Sequence, residues 1–221
     1  IVGCLYSQSL RVLLRSHSSK FCCACAGGIF AGKDDKMFRI AVAAFLSAAY
    51  AAAATNNDSQ MSILNDMFDT TCGSYWNYQQ DADAVQWNFT KGASGQYIFN
   101  SCTDSFAGVN CERGVITRLN VSDFGLAGYI PSSLGDLLSL KELSVSGNRV
   151  TGTIPTTLGQ LSMVKHLDLS ANLLSGSVPN QLCAMTASWI DVNDNDYLTC
   201  YDQCFGTSDI SLRCDDELYY C

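Results

Sequence analysis

A β-branched residue followed by proline recurs in this chain at a constant interval. Ile130-Pro131, Ile154-Pro155 and Val178-Pro179 each stand 24 residues from the next. A glycine precedes each pair by two positions, at Gly128, Gly152 and Gly176. A period of this length marks one supersecondary unit repeated. A single unit buries too little apolar surface to be stable alone, so its copies must stack into a solenoid. With 221 residues, 48% hydrophobic, and only three prolines, the chain has the composition of a packed fold and not of a disordered one.

Alignment on the proline pairs brings four rows into register: Ile116, Leu119, Val121, Phe124; Leu140, Leu143, Val145, Asn148; Val164, Leu167, Leu169, Asn172; and Ala187, Ile190, Val192, Asn195. Residues two apart, as in Leu143-x-Val145, point to one side of a short strand, which predicts a stacked parallel sheet with that side inward. The asparagine that follows has an amide able to bond backbone groups buried where the chain bends. Phe124 holds that position in the first row, so the asparagine ladder is expected to begin at Asn148. After Asn195 the G-x-I-P segment gives way to Leu198-Thr199-Cys200-Tyr201, and the array is expected to close there.

The segment Leu167-Asp168-Leu169-Ser170-Ala171-Asn172-Leu173-Leu174-Ser175-Gly176-Ser177-Val178-Pro179 resembles the plant-type class of leucine-rich repeats. The resemblance runs from Ile116 to Asn195 and implies an α/β fold, a right-handed solenoid of about 3.5 repeats with a concave parallel sheet. Its convex side would carry short second strands or tight helical turns. Trp76, Trp87 and the run from Cys102 to Cys111 are similar to the N-terminal cap of that family, and the similarity implies a Cys102–Cys111 disulfide. The partner of Cys72 stays open. The domains expected are therefore a cap over 55–114, repeats over 115–195 and a cysteine-rich cap over 196–221. Caps answer a physical need, since bare end coils expose apolar faces and strand edges.

Upstream, Met37-Phe38-Arg39 supplies a positive start, Ile40 to Ala54 an apolar run, and Ala49-Tyr50-Ala51 or Ala52-Ala53-Ala54 a small-residue cleavage site. Residues 37–54 thus read as a secretory signal peptide, and 1–36 as a leader foreign to the mature protein. Beyond Arg39 the chain has seven Lys and Arg against 19 Asp and Glu, a formal charge of −12. Such a field repels phosphate backbones, which excludes nucleic acid as a partner. Eight cysteines follow the signal segment, an even number suited to an oxidising compartment. Sequons at Asn57, Asn88 and Asn120 agree with export and are expected glycosylation sites.

Outward strand positions form the expected binding surface. They run in columns: Thr117, Lys141, Lys165, Ser188; Arg118, Glu142, His166, Trp189; and Asn120, Ser144, Asp168, Asp191. The ligand-binding candidates are Lys141, Glu142, Lys165, His166, Asp168, Trp189 and Asp191, with Trp189 foremost because tryptophan is enriched in hot spots. Packing against the C-terminal cap is the competing role for Trp189, and plain solvation the competing role for His166. Asp191-x-Asn193-x-Asn195 begins like a calcium loop, but Asp196 stands where an EF-hand needs glycine, and no metal or cofactor is expected. No nucleophile elbow, phosphate loop or H-E-x-x-H motif is present, so no enzyme is expected.

The reading is a non-catalytic extracellular recognition module, secreted or on the outer face of the plasma membrane. The resemblance implies protein, peptide or cell-wall-glycan partners. Alternatives are the ectodomain of a kinase-linked receptor, with an anchor beyond Cys221 or a co-receptor role, and a secreted inhibitor of a cell-wall hydrolase. Expression in a secreting eukaryotic cell should yield a mature N-terminus near Thr55 by N-terminal sequencing; a start at or before Met37 contradicts the export signal.

Overall fold

A computed structural model of the protein describes residues 57–78, 85–206, 209–215 and 219–220. The segments read as leader and signal peptide lie outside the described residues.

Each period closes one coil, and the coils stack through two sheets. The first sheet contains β1 (Val109–Glu112), β2 (Val115–Asn120), β4 (Glu142–Ser144), β6 (His166–Asp168), β8 (Trp189–Asp191) and β10 (Ser211–Arg213), in that spatial order. The second sheet contains β3 (Ala127–Tyr129), β5 (Arg149–Gly152), β7 (Leu173–Val178), β9 (Tyr197–Tyr201) and β11 (Tyr219–Tyr220), also stacked in chain order. All pairings are parallel except β1 with β2. The register of β2, β4, β6 and β8 aligns Leu119, Leu143, Leu167 and Ile190, each with 0% exposure, so the expected inward column is the core.

Three asparagines turn the chain out of these strands. The Nδ2 of Asn172 donates to the carbonyls of Val145 (3.0 Å), Leu169 (3.2 Å) and Ser170 (2.9 Å), while its Oδ1 accepts from Val150 N–H (3.0 Å). Asn148 and Asn195 repeat the same four bonds one coil earlier and one coil later. One buried amide thus satisfies backbone groups in its own coil and in the preceding one. Phe124 fills the corresponding place in the first coil, as expected. It packs edge-on against Trp76 (6.2 Å between centroids) and Tyr78 (5.6 Å).

On the opposite side, each proline pair leads into a 3-10 turn: Ser132–Asp136, Thr156–Gln160 and Asn180–Ala184, burying Leu134, Leu158 and Leu182. The turns stack so closely that a Cβ on Gly135 or Gly159 would sit 2.4 or 2.5 Å from the carbonyl oxygen of Thr157 or Gln181 in the next coil. The third coil carries Cys183 at this position, and its sulfur bonds Cys204 in the next turn, Gln203–Gly206. Phe205 there is buried like the leucines before it. The C-terminal cap is therefore built on the coil plan: β10 pairs with β8, placing Leu212 beside Ile190.

The N-terminal cap contains a helical segment over 57–70, with Met61, Leu64 and Met67 fully buried. Its Gln60 accepts from Ile116 N–H (2.7 Å) and donates to Gly114 O (3.2 Å), clamping the β1–β2 hairpin. Arg113 and Gly114, with φ of 56° and 78°, make the two-residue turn whose twist suits such a hairpin. Trp87 donates its indole N–H to Ala107 O (2.8 Å) and lies against Trp76, 4.8 Å between centroids. The Cys102–Cys111 disulfide is present as the family resemblance implied. Cys72 is exposed and unbridged among the described residues.

Replacing Asn172 with alanine strands several buried backbone groups, at roughly 1 to 3 kcal/mol each. The variant should melt well below the parent, whereas Ser177→Ala, an exposed position, should stay within about 0.5 kcal/mol of it. Equal denaturation midpoints for the two variants would remove the ladder from its role.

Candidate recognition surface

The outward positions of the first sheet form the columns the spacing predicted. β2, β4, β6 and β8 align Arg118, Glu142, His166 and Trp189, and beside them Asn120, Ser144, Asp168 and Asp191. Two members are not open surface. Thr117 is 8% exposed because β1 pairs along that edge, and Ser144 is 7% exposed among neighbouring hydroxyls.

At the N-terminal end the charges are already paired. Arg118 Nε lies 2.7 Å from Glu142, and Lys141 Nζ lies 2.7 Å from Glu112. The hydrogen bond from Lys141 and its charge hold the exposed Glu112 carboxyl below its ordinary pKa, with Arg113 and Arg118 adding to the effect. Lys165 instead donates to the carbonyl (2.9 Å) and hydroxyl (3.1 Å) oxygens of Thr186.

At the C-terminal end three side chains from adjacent strands form a stack. The His166 imidazole lies nearly parallel to the Trp189 indole, 5.1 Å between centroids and 20° between planes. The Arg213 guanidinium carbon sits 4.8 Å from the same indole, and its Nη1 lies 3.5 Å from Asp191 Oδ2. Trp189 is thus half-buried between a neighbouring coil and the cap, its ring engaged from both adjacent strands. A guanidinium on an indole strengthens by desolvation, up to about 2 kcal/mol. Asp168 and Asp191 also hold the backbone as it leaves their strands, since each Oδ1 accepts the N–H two residues on, from Ser170 and Asn193 respectively (both 3.1 Å). Asn195 points inward with 1% exposure, so the Asp191-x-Asn193-x-Asn195 triplet does not converge on one point.

Repeat spacing does not reveal Arg213. Ile210-x-Leu212-x-Cys214 continues the strand alternation, but a cysteine stands where earlier rows have valine or leucine. A separate groove of about 660 Å³, lined by residues including Cys72, Tyr75, Asp123 and Arg149, shares no residue with the columns.

The family model for the leucine-rich repeat matches residues 139–161 and 163–185. No curated protein matches the sequence. Among solved structures, the leucine-rich-repeat ectodomain of the Arabidopsis thaliana membrane receptor kinase GASSHO1/SCHENGEN3, in complex with CASPARIAN STRIP INTEGRITY FACTOR 2, is 25% identical with a TM-score of 0.54. That match covers 71% of this chain and 18% of the receptor chain, so this chain spans under a fifth of its length. The BIR2 ectodomain of Arabidopsis thaliana is 24% identical, covering 74% of this chain and 92% of that one, with a TM-score of 0.44. PEPR1 bound to AtPEP1 is 20% identical, covering 74% and 25%, with a TM-score of 0.48. The chain carries leucine-rich repeats over these residues, and its fold is similar to that of the receptor-kinase ectodomain. Its repeats are similar to the plant type in their G-x-I-P turn and asparagine ladder.

Lys141→Ala should raise the Glu112 pKa toward the ordinary carboxylate value, followed by NMR titration of the Glu112 carboxyl carbon. An unchanged titration would mean that the pair does not form in solution.

Proposed function

We propose that this chain is a non-catalytic extracellular recognition module that docks a protein or peptide partner on the first sheet, centred on His166, Trp189 and Arg213. The observation that carries the reading is the Trp189 stack, a half-buried aromatic immobilised before any partner arrives. An anchor already ordered costs less side-chain entropy on binding. Charge distribution supports the same surface. Arg118, Lys141, Lys165 and Arg213 are four of the seven cations in a mature chain of net charge −12. This sheet therefore offers an incoming partner both signs of charge, with Glu142, Asp168 and Asp191 beside these cations.

Glu142, Asp168 and Asp191 are each committed to an ion pair or a backbone N–H, which favours recognition over carboxylate catalysis. The likeness to a receptor-kinase ectodomain at 25% identity supports the receptor-ectodomain or co-receptor form of this role over the hydrolase inhibitor. Lys141, Glu142, Lys165, Asp168 and Asp191 then frame the anchor and set which partner fits.

The test is a binding screen of the secreted chain against extracellular peptides and domains, followed by variants. Trp189→Ala should weaken a captured partner by about 2 kcal/mol, roughly 30-fold. Tyr75→Ala, on the separate groove and 86% exposed, should leave affinity unchanged. The reverse pattern would move the docking surface to the groove.

A further inference from the structure

The second sheet carries an outer surface that neither the core nor the peptide anchor uses. Ile130, Val150, Leu174 and Leu198 turn inward and are buried, so the residues alternating with them face out. Register sets exposed Tyr129 beside Thr151 and Thr151 beside Leu173, and in the adjoining row Ser175 beside Tyr197. Tyr129 and Tyr197 are 56% and 60% exposed and stand on β3 and β9, three strand spacings or about 14 Å apart across the sheet. Between them lie hydroxyls and bare backbone. Thr151 Oγ1 donates to Gly128 O (2.8 Å) and Ser175 Oγ to Gly152 O (3.3 Å), which leaves both hydroxyl oxygens as acceptors. A Cβ on Gly152 would lie 3.5 Å from Tyr129 Cβ, so glycine keeps the flank of that ring uncovered.

This face runs into the groove of about 660 Å³. Ala127 and Arg149 line the groove and precede Tyr129 and Thr151 by two residues, on the same side of their strands. Tyr75, 86% exposed, and Asp123 also line it. The Asp123 carboxylate and the Arg149 guanidinium have no ion pair and no side-chain hydrogen bond among the described residues. Their charges cancel, and Arg149 is the only charged residue of β3, β5, β7 and β9.

We propose that the groove and the outer face of the second sheet together bind a neutral β-1,4-linked glucan. Pyranose C–H bonds carry partial positive charge, which the negative face of an aromatic ring attracts. A β-1,4 chain with equatorial hydroxyls is a flat ribbon that shows C–H groups on both faces, and Tyr75, Tyr129 and Tyr197 are rings set apart along a groove and a sheet that such a ribbon can follow. Its hydroxyls find acceptors on Thr151, Ser175 and Asp123 and a forked donor on Arg149. Charge selects the class of ligand. An anionic polymer is repelled by a chain of net charge −12, and a basic peptide meets a carboxylate already matched by a guanidinium in the same groove. An apolar protein surface would strip water from these hydroxyls and glycine carbonyls without replacing their bonds. None of these residues lies on the first sheet, so this site and the peptide anchor stand or fall separately.

The experiment is calorimetric titration of the full secreted chain with cellohexaose, maltohexaose and polygalacturonate, with microcrystalline cellulose pull-down as a second readout. The result expected is binding to cellohexaose and retention on cellulose, with affinity about tenfold lower in Tyr75→Ala and in Tyr197→Ala. Both side chains are exposed, so the two variants should melt with the parent, and Trp189→Ala should bind the saccharide unchanged. Absence of cellohexaose binding, equal binding of maltohexaose, or tighter binding of polygalacturonate each overturns the proposal. Full affinity in either tyrosine variant overturns the joint site, and loss of saccharide binding in Trp189→Ala moves it to the first sheet.

Discussion

The fold depends on one buried amide per coil. A strand that must turn through the core side of a solenoid leaves peptide groups with no water and no sheet partner, and such groups are costly to bury unpaired. Asn148, Asn172 and Asn195 answer this with identical four-bond patterns that reach one coil back. Because each amide ties two coils together, it fixes the stacking register as well as the bend. The leucine column is aligned because the amides align it.

The two ends of the stack are closed by different chemistry. At the N-terminus the ladder is missing a member, and aromatic volume replaces it: Phe124, Trp76, Tyr78 and Trp87 pack together under a helix whose Gln60 holds the β1–β2 turn. The antiparallel β1 also covers the edge that a parallel array leaves open. At the C-terminus the coil plan continues with weaker apolar residues, and a disulfide between Cys183 and Cys204 supplies part of the missing cohesion. Cys200 is disulfide-bonded there as well.

The core was legible in the sequence because two periods reinforce each other, an alternation of two within each strand and a return every 24 residues. The asparagines were legible for the same reason. The surface was harder. The columns follow from register, but what each side chain does depends on neighbours that register does not specify. Thr117 is hidden by an antiparallel strand, Lys165 bonds Thr186 rather than facing the column, and Trp189 stacks on two residues, one from a strand beyond the expected array. Periodicity reports which way a residue points and says little about its rotamer.

Cys183 stands where the earlier coils have Gly135 and Gly159, positions at which a single added carbon meets the next coil's backbone. At this position the close glycine stacking of the earlier coils gives way to a covalent bond to the next turn, Gln203–Gly206. A duplicated repeat inserted ahead of this cysteine meets glycine-compatible neighbours on both sides. One appended after it confronts a position already filled by sulfur and bonded. An added coil is therefore accommodated ahead of Cys183 without breaking the bond from Cys183 to Cys204.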